Sequence, residues 1–450
     1  GGDEGGEAPL PETCAGQPHF VVASGVALRS VKGKGRGWFA TNALPAGAIV
    51  LVEKPLVATL DVEWKAQEWS DCDSADTAAL GLELARIFSP SVGAALAMHH
   101  PPEGAIPQLP KDDEEEDEDE EDLAEVVDKA WAKVADLSPA QKERLQMVVR
   151  LNSLGFYTNS EQLCHHGNFT ALTGSGLFAL GSGFNHSCDP SVSRFSLGDV
   201  TVFVTNRPVG AGDELCISYI ETELLSAPRS LRGQSLNRDF VCGCPKCAAE
   251  PASGESSSAE GERRYLHVDE QVQAQLTMLP PEQRIEAAAA ALRGEVGDDE
   301  EEEEEQSAGS SSAAPGHQPA QPALVLGKDA QELRVVQAVA LMQLRRYGEA
   351  LGIWRRLAAF ACHHCPPFDE CLVVYATQAA LCSICGGDAA LSAADYVALA
   401  AGAHRAAFGA AQLFAWRYRK EVALSEVTDE AKAKFWALVE KSSATVVPCS

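Results

Sequence analysis

The sequence predicts an α+β protein with a strand-rich module followed by an all-helical region. Short apolar runs broken by Gly and Pro occur at 19–58 and 151–222, as expected for short strands joined by tight turns. Residues 75–99 and 123–150 instead carry apolar residues at helical spacing, so a helical insertion divides the strand-rich module. Residues 326–450 are rich in Ala and Leu with a helical period, which predicts a helical bundle.

These patterns divide the chain into seven segments. They are a flexible lead (1–18), the first strand-rich part (19–58), a helical insertion (59–150) with an acidic loop at 112–122, the strand-rich core (151–222), a Cys-rich segment (223–250), a linker (251–325) with a short helix and an acidic run at 298–305, and the helical region (326–450). Part of the last segment looks like one helix-turn-helix unit of a tetratricopeptide (TPR) array, although the regular period of about 34 residues is missing.

The formal net charge of −29 is concentrated, because residues 112–122 and 298–305 together supply 19 of the negative charges. We expect these runs to stay solvated, since like charges repel and nothing apolar is present to bury. The alternative is that the first run attracts a basic protein segment. No stretch approaches the roughly 20 apolar residues of a membrane span, so no membrane association is expected.

Fourteen Cys in 450 residues are too few for a disulfide scaffold, and several have the spacing of metal ligands. Thiolate ligands suit a reducing compartment, and the N-terminus lacks the basic region and apolar core of a secretory signal. The expected location is therefore the nucleus or the cytoplasm.

Four segments carry most of the chemical information. They are Lys32–Ala40 (Lys-Gly-Lys-Gly-Arg-Gly-Trp-Phe-Ala), Phe184–Pro190 (Phe-Asn-His-Ser-Cys-Asp-Pro), Gly212–Tyr219 and Phe240–Cys247. Each is weak evidence by itself. The first lacks the Gly-x4-Gly-Lys-Ser/Thr spacing of a phosphate-binding loop, and a Gly-rich run alone is a turn. An Asn-His pair can satisfy its own backbone in a turn, and a Tyr can simply pack its ring.

The last segment contains Cys242, Cys244 and Cys247 in a Cys-x-Cys-x2-Cys pattern. Tetrahedral zinc prefers four ligands, so this pattern predicts a zinc site only if a fourth ligand comes from elsewhere in the chain.

In this order, the four segments resemble the SET-domain protein-lysine methyltransferases, most closely the SMYD-like branch. The resemblance implies a β-rich SET fold and methyl transfer from S-adenosylmethionine to a lysine of a histone or another basic protein. It implies that Cys188, from the Asn-His-Ser-Cys sequence, completes one structural zinc site with the three post-SET Cys residues. The residues that it assigns to cofactor binding are Lys34, Gly35, Arg36, Asn152, Asn185, His186, Tyr219 and Phe240.

The resemblance also makes Tyr219 the catalytic residue. A free lysine amine titrates near ~10.4 and must lose its proton before it can accept a methyl group. An apolar channel favours the neutral amine, because desolvation disfavours the ammonium. A phenol at the mouth of such a channel can then hydrogen-bond the amine and align its lone pair, and positioning of this kind contributes much of the acceleration.

The sequence departs from the family in three places. The interval 59–150 contains one Cys and two His, so the MYND zinc finger of the SMYD branch is absent from it. Ser191 and Arg238 stand where the family usually has Asn and Tyr, which leaves the number of methyl groups added open. A non-catalytic SET scaffold that binds peptides or chromatin through its helical tail therefore stays an alternative. A SET enzyme for a plastid or ribosomal target is less favoured, because such enzymes generally lack the post-SET Cys set.

The expected partner is a protein with a basic tail, without direct nucleic-acid binding, and the chain is expected to be a monomer. A second Cys pattern, Cys362-x2-Cys365 with Cys382-x2-Cys385, also matches a four-Cys zinc site on spacing. Residues 369–385, however, have the pattern of one continuous helix, which would separate the two pairs by roughly 20 Å. We therefore predict that these Cys residues pack between helices rather than bind one zinc.

Overall fold

The computed structural model describes most of the chain. The described residues are 20–31, 34–60, 75–97, 99–102, 104, 118–134, 137–157, 173–197, 200–220, 222–236, 240–250, 275–293, 328–366, 369–386, 392–409 and 413–444. Within them, no helix has the length and apolar character needed to cross a bilayer. The chain forms two compact units. The strand-rich unit consists of Gly1–Ile220, Gly233–Ala248 and His404–Lys420, and the helical unit of Glu221–Arg232, Ala249–Ala403 and Glu421–Ser450.

The strands of the strand-rich unit fall in the two segments for which they were predicted. They are β1 (Phe20–Val22), β2 (Val26–Val31), β3 (Gly35–Ala40), β4 (Ile49–Glu53), β5 (Val57–Leu60), β6 (Ser153–Tyr157), β7 (Thr173–Leu177), β8 (Asn185–His186), β9 (Val192–Leu197), β10 (Val200–Thr205) and β11 (Glu214–Ile217). These strands form three sheets with the orders β1-β4-β10-β9, β2-β3-β11-β8 and β5-β7-β6. The pairing of β8 with β11 is parallel, whereas the other strand pairs of these sheets are antiparallel. The predicted strand-rich module, divided by a helical insertion, is thus confirmed.

The insertion contains more helices than its apolar spacing predicted. They are α1 (Ala75–Ile87), α2 (Pro90–Ala95), α3 (Glu118–Ala132) and α4 (Pro139–Asn152). Ser138 begins α4 with a capping box, because its Oγ accepts from Gln141 N–H and its N–H donates to Gln141 Oε1. Local capping therefore divides the predicted 123–150 helix in two.

The acidic run at 112–122 is not a loop throughout, because α3 begins at Glu118. Acidic residues are favourable at a helix N-terminus, where the peptide dipoles give a partial positive charge. Residues 112–117 lie outside the described part of the chain, as does the second acidic run, 298–305.

Aromatic residues form the centre of the strand-rich core. Phe184 stacks on Phe203 with ring centroids 4.9 Å apart, and Trp38 lies 5.8 Å from Phe184. The buried Trp38 Nε1 donates to Leu180 O at 3.0 Å, which satisfies its polar atom. Tyr219 packs against this same core. The core therefore holds Phe184, which directly precedes β8, and Tyr219, which follows β11.

The remaining helices lie after the strand-rich core, and the six described helices that begin at Lys328 or later bear out the predicted helical region at 326–450. In chain order, the remaining helices are α5 (Arg229–Leu236), α6 (Pro245–Ala249), α7 (Pro281–Arg293), α8 (Lys328–Gln343), α9 (Tyr347–His364), α10 (Cys371–Ile384), α11 (Ala393–Phe408), α12 (Leu413–Leu424) and α13 (Asp429–Ala444). Residues 404–420 nevertheless belong to the strand-rich unit. Ser193 Oγ donates to Ala407 O at 3.1 Å there, and Phe195 meets Phe408 edge-on at 5.3 Å.

Candidate active site and metal centre

The parallel pairing of β8 with β11 brings two distant sequence motifs together. Asn185 lies opposite Cys216 and His186 opposite Ile217, so the Asn-His segment runs beside the strand that leads to Tyr219. Tyr219 N–H donates to His186 Nδ1 at 3.0 Å, and Tyr219 Oη donates to Phe184 O at 2.7 Å. The structure therefore holds both ends of Tyr219 against the segment that precedes and contains His186.

A cavity of about 90 Å³ opens beside Tyr219. Its lining residues are Leu151, Asn152, Ser153, Leu154, Gly155, Ser182, Arg194, Ile217, Ser218 and Tyr219. Pockets for drug-sized ligands have volumes of roughly 300–1,000 Å³, so this cavity suits a single side chain rather than a whole cofactor. Arg194, which the sequence did not single out, donates to Gly155 O at its edge.

The Gly-rich segment lies against Asn185 through a polar network. Asn185 Nδ2 donates to Arg36 O at 2.8 Å and to Glu214 Oε1 at 2.7 Å, while Lys34 Nζ pairs with Glu214 Oε2 at 2.8 Å. Partial burial lowers the pKa of Lys34, but the hydrogen bond and negative charge of Glu214 outweigh it, so the net pKa is raised. Gly35 has φ +80°, a conformation that favours glycine. Lys34, Gly35, Arg36 and Asn185 are thus brought together.

Arg36 is the one of these residues whose side chain reaches the interior. Its Nη2 is buried and has no hydrogen-bond partner within the described part of the chain. Burial lowers the pKa of Arg36 to about 10, and the nearby Tyr219 and Glu53 oppose that shift. A buried guanidinium nitrogen without a partner is costly, so this position fits an anionic ligand group such as a carboxylate.

Glu53 is a functional neighbour that sequence reasoning missed. Its fully buried carboxylate accepts from Leu180 N–H at 2.9 Å and Gly181 N–H at 2.6 Å, which fixes the turn before β8. Burial raises the pKa of Glu53 to about 7, although these backbone hydrogen bonds and Arg36 lower it. The sequence did contain one signal for this role, because Glu53 is an acidic residue at the end of a strand that is otherwise apolar (Ile-Val-Leu-Val).

Two predicted cofactor contacts are placed differently. Asn152 lines the cavity, but its Nδ2 donates to His100 O at 2.6 Å and Val148 O at 2.9 Å. Both hydrogens of this amide nitrogen are therefore already used in hydrogen bonds within the protein. Phe240 is 42% exposed and is not packed into the core. Its role in cofactor binding stays a prediction, and Arg238 lies outside the described residues.

The four predicted metal ligands converge. The Sγ atoms of Cys188, Cys242, Cys244 and Cys247 all lie within 4.8 Å of one another, with Cys188 3.5 Å from Cys247 and 3.9 Å from Cys242. Tetrahedral zinc with Zn–S bonds of about 2.3 Å separates its sulfur ligands by about 3.8 Å. The donor set and spacing therefore fit zinc, and these four Cys would hold it.

His186 links the metal centre to the Tyr219 strand. Because Nδ1 accepts from Tyr219 N–H, the ring proton belongs on Nε2, which lies 3.3 Å from Cys188 Sγ. Nε2 therefore donates to the sulfur. The hydrogen bond with Cys188 lowers the pKa of the Cys242 thiol, which favours the thiolate form that a metal needs.

In the second Cys pattern, Cys382 packs among its helix neighbours as predicted, whereas Cys362 is exposed. Residues Cys371–Ile384 form one helix, and Cys382 is fully buried in it. Among the described residues, Cys362, Cys365, Cys382 and Cys385 do not form a metal-sized group.

Comparison with known proteins identifies the class. Residues 35–220 match the SET domain family model. The chain is 31% identical over 146 residues to the protein-lysine N-trimethyltransferase SMYD5 of Gallus gallus, covering 30% of this chain and 33% of that protein. It is 38% identical over 98 residues to the Homo sapiens SMYD5, covering 21% and 23%. It is also 32% identical over 76 residues to the potential protein lysine methyltransferase SET6 of Saccharomyces cerevisiae, covering 16% and 20%.

The chain thus matches about a third or less of the length of these relatives. A solved structure, the SET domain of LSMT bound to lysine and AdoHcy, aligns over 92% of each chain with a TM-score of 0.30 and 12% identity, which is too low to support an inference.

Residues 35–220 are therefore a SET domain. Over the matched segments the chain is similar to SMYD5 and to a potential SET-domain methyltransferase, and the predicted SET-domain resemblance is confirmed for residues 35–220.

Proposed function

We propose that this protein is an S-adenosylmethionine-dependent protein-lysine N-methyltransferase that acts on a lysine in a basic segment of a histone or another protein. The observation that carries the proposal is the hydrogen bond from Tyr219 N–H to His186 Nδ1 beside a cavity of side-chain size. This hydrogen bond brings the segment that contains His186 and the segment that contains Tyr219 together beside the cavity, as the reaction needs.

The cavity supports the acceptor side of the reaction. Leu151, Leu154 and Ile217 contribute apolar atoms to a lining that is otherwise mostly polar, so the cavity supports this role by its side-chain size and by Tyr219. Tyr219 Oη donates its own proton to Phe184 O, so the phenol oxygen is positioned to accept from the N–H of a neutral amine. Tyr219 would then orient the amine lone pair for an in-line attack.

The Gly-rich segment supports the donor side. S-Adenosylmethionine, when bound, supplies an electrophilic methyl group on a sulfonium. Its carboxylate suits the buried Nη2 of Arg36, which has no partner in the described part of the chain. Lys34 is already paired with Glu214, so Arg36 supplies the positive charge for the ligand. Asn185 would hold the cofactor through its remaining amide oxygen, because its Nδ2 already donates to Arg36 O and Glu214 Oε1. Both ring nitrogens of His186 are engaged by Tyr219 and Cys188, so His186 would position Tyr219 rather than bind the cofactor through its ring.

Zinc at the four-Cys centre would join the post-SET segment to β8. Cys188 directly follows the Asn-His-Ser sequence, whereas the other three ligands lie at 242–247. A metal there would hold the segment that contains Phe240 against β8, and His186 Nε2 would donate a hydrogen bond to the zinc-bound sulfur of Cys188.

We further propose a location in the nucleus or cytoplasm and a monomeric state. The reduced thiolates that the zinc centre requires support a reducing compartment. A protein substrate with a basic tail is the proposed partner, with no direct binding of nucleic acid.

The proposal is tested by incubating the purified protein with methyl-labelled cofactor and either mixed histones or a cell lysate. We expect label on lysine, identified by mass spectrometry of the modified peptides. Binding of the cofactor without any transfer would instead support the non-catalytic scaffold. Failure to bind the cofactor, in protein that is folded and zinc-loaded, would exclude the methyltransferase.

A further inference from the structure

A second group of metal-ligating side chains lies in the helical unit, far along the chain from the four-Cys centre. Seven of the ten residues at 362–371 (Cys-His-His-Cys-Pro-Pro-Phe-Asp-Glu-Cys) are Cys, His, Asp or Glu. Three of them, Cys365, Asp369 and Cys371, place one ligand atom each within 4.8 Å of the other two.

The local backbone explains why these three converge. Cys365 is the C-terminal cap of α9, where its N–H donates to Ala361 O, and Cys371 is the first residue of α10. Between them the chain turns through the Asp369 N–H to Pro366 O hydrogen bond of 2.9 Å. Asp369 Oδ1 also accepts from Cys371 N–H at 2.9 Å, which directs the carboxylate toward the thiol.

We propose that Cys365, Asp369 and Cys371 form a second zinc site, which clamps the turn between α9 and α10. Zinc is a borderline-soft ion that binds both soft thiolates and hard carboxylates, whereas magnesium and calcium prefer oxygen ligands alone. All three side chains are half-buried, so a water molecule would have access to the metal as a fourth ligand. An iron–sulfur cluster is disfavoured, because it needs four Cys ligands.

This site differs from the one that Cys spacing alone would suggest. It uses Cys365 from the first Cys-x2-Cys pair but neither member of the second pair. Cys385 lies fourteen residues beyond Cys371, at the other end of α10, and a helix rises about 1.5 Å per residue. The resulting separation of about 21 Å makes Cys385 a matched control, a half-buried Cys on the same helix with no part in the site.

The test is zinc stoichiometry of the full chain, purified under reducing conditions with zinc supplied and excess zinc removed. We expect two zinc ions per chain in the wild type and in Cys385→Ser. The double variant Cys365→Ser/Cys371→Ser should lose one of them. Asp369→Asn, which can retain the acceptor for Cys371 N–H, should release one zinc at a lower chelator concentration than the wild type does.

Cobalt(II) substitution supplies a second readout. The thiolate-to-cobalt charge-transfer absorbance per chain should fall in the double variant by the contribution of two thiolates, while helical circular dichroism is kept. Equal zinc content in the wild type and the double variant would overturn the proposal. So would a Cys365–Cys371 disulfide found in the native protein by mass spectrometry. Both outcomes are independent of methyl transfer, since neither the cofactor nor Tyr219 takes part in the measurement.

Discussion

At the scale of single residues, buried polar groups organise the candidate active site. Glu53 and His186 make hydrogen bonds to other segments of the chain, whereas Arg36 Nη2 has no partner among the described residues. Glu53 joins β4 to the turn at 180–181, and His186 joins Cys188 to Tyr219. These contacts preorganise the site before any ligand binds, as catalysis by positioning requires.

Glu53 predicts a specific pH dependence of stability. Its folded-state pKa of about 7 lies above the usual 4.5, because burial disfavours the charged form. The folded state therefore binds this proton more tightly, and the associated stability is complete below about pH 4.5 and is lost as the pH rises through about 7. Relative to Glu53→Gln, the free energy of unfolding should fall by at most about 3 kcal/mol between pH 4.5 and 7.

Urea denaturation of both proteins across this pH range provides the measurement. In Glu53→Gln the side-chain NH₂ group would face one of the two backbone N–H groups, which costs about 1–3 kcal/mol. Because this cost is the same at every pH, it does not change how the free energy of unfolding varies with pH. A difference between wild type and variant that does not change with pH would contradict the assignment.

At the scale of secondary-structure elements, close approach of β3, β8 and β11 creates the donor side of the site. A Cβ atom at Gly37 would lie 2.9 Å from both Asn185 Nδ2 and Glu214 Oε1, so only glycine leaves room for this network. The close approach of the three strands therefore requires glycine at position 37 in particular, and a Gly-rich turn elsewhere would not replace it.

Gly37→Ala should weaken cofactor binding without unfolding the protein. The added methyl group would displace Asn185 and with it the hydrogen bond to Arg36 O, so we expect at least tenfold weaker binding, on the order of 1.4 kcal/mol. Isothermal titration calorimetry with S-adenosylmethionine measures this change. Gly81→Ala is the matched control, because nothing lies within 4 Å of its Cβ and Ala favours a helix. Equal affinities of Gly37→Ala and the wild type would argue against a cofactor site at β3.

At the scale of the whole molecule, the sequence predicted the fold class and the convergence of the motifs, because the SET segments keep their order and spacing. It did not predict contacts made by isolated residues. The partners of Glu53 lie more than 120 residues further along the chain, so no local pattern reports them. Residues 404–420 read as part of the helical tail, yet Ser193 and Phe195 contact them within the strand-rich unit. Helix boundaries at Glu118 and Ser138 depend on charge and capping that apolar spacing does not reveal.

The four-Cys centre has consequences at this scale, because it joins β8 to residues 242–247. Cys188→Ser should lose one zinc ion and lower the melting temperature, since metal binding contributes folding free energy. Cys216→Ser, a strand residue outside the metal group, should keep full zinc content. Elemental analysis and thermal denaturation check both variants. Undiminished zinc in Cys188→Ser would show that the centre does not use this ligand.

Methyl transfer by Tyr219→Phe tests the central claim most directly. The substitution keeps the aromatic ring in the core but removes the hydroxyl at the cavity. We expect the turnover rate to fall by about a hundredfold or more while cofactor affinity changes little. Tyr396→Phe, which removes a buried hydroxyl without a partner in the described residues, should keep full activity. Transfer to lysine that continues at the wild-type rate in Tyr219→Phe would contradict the account.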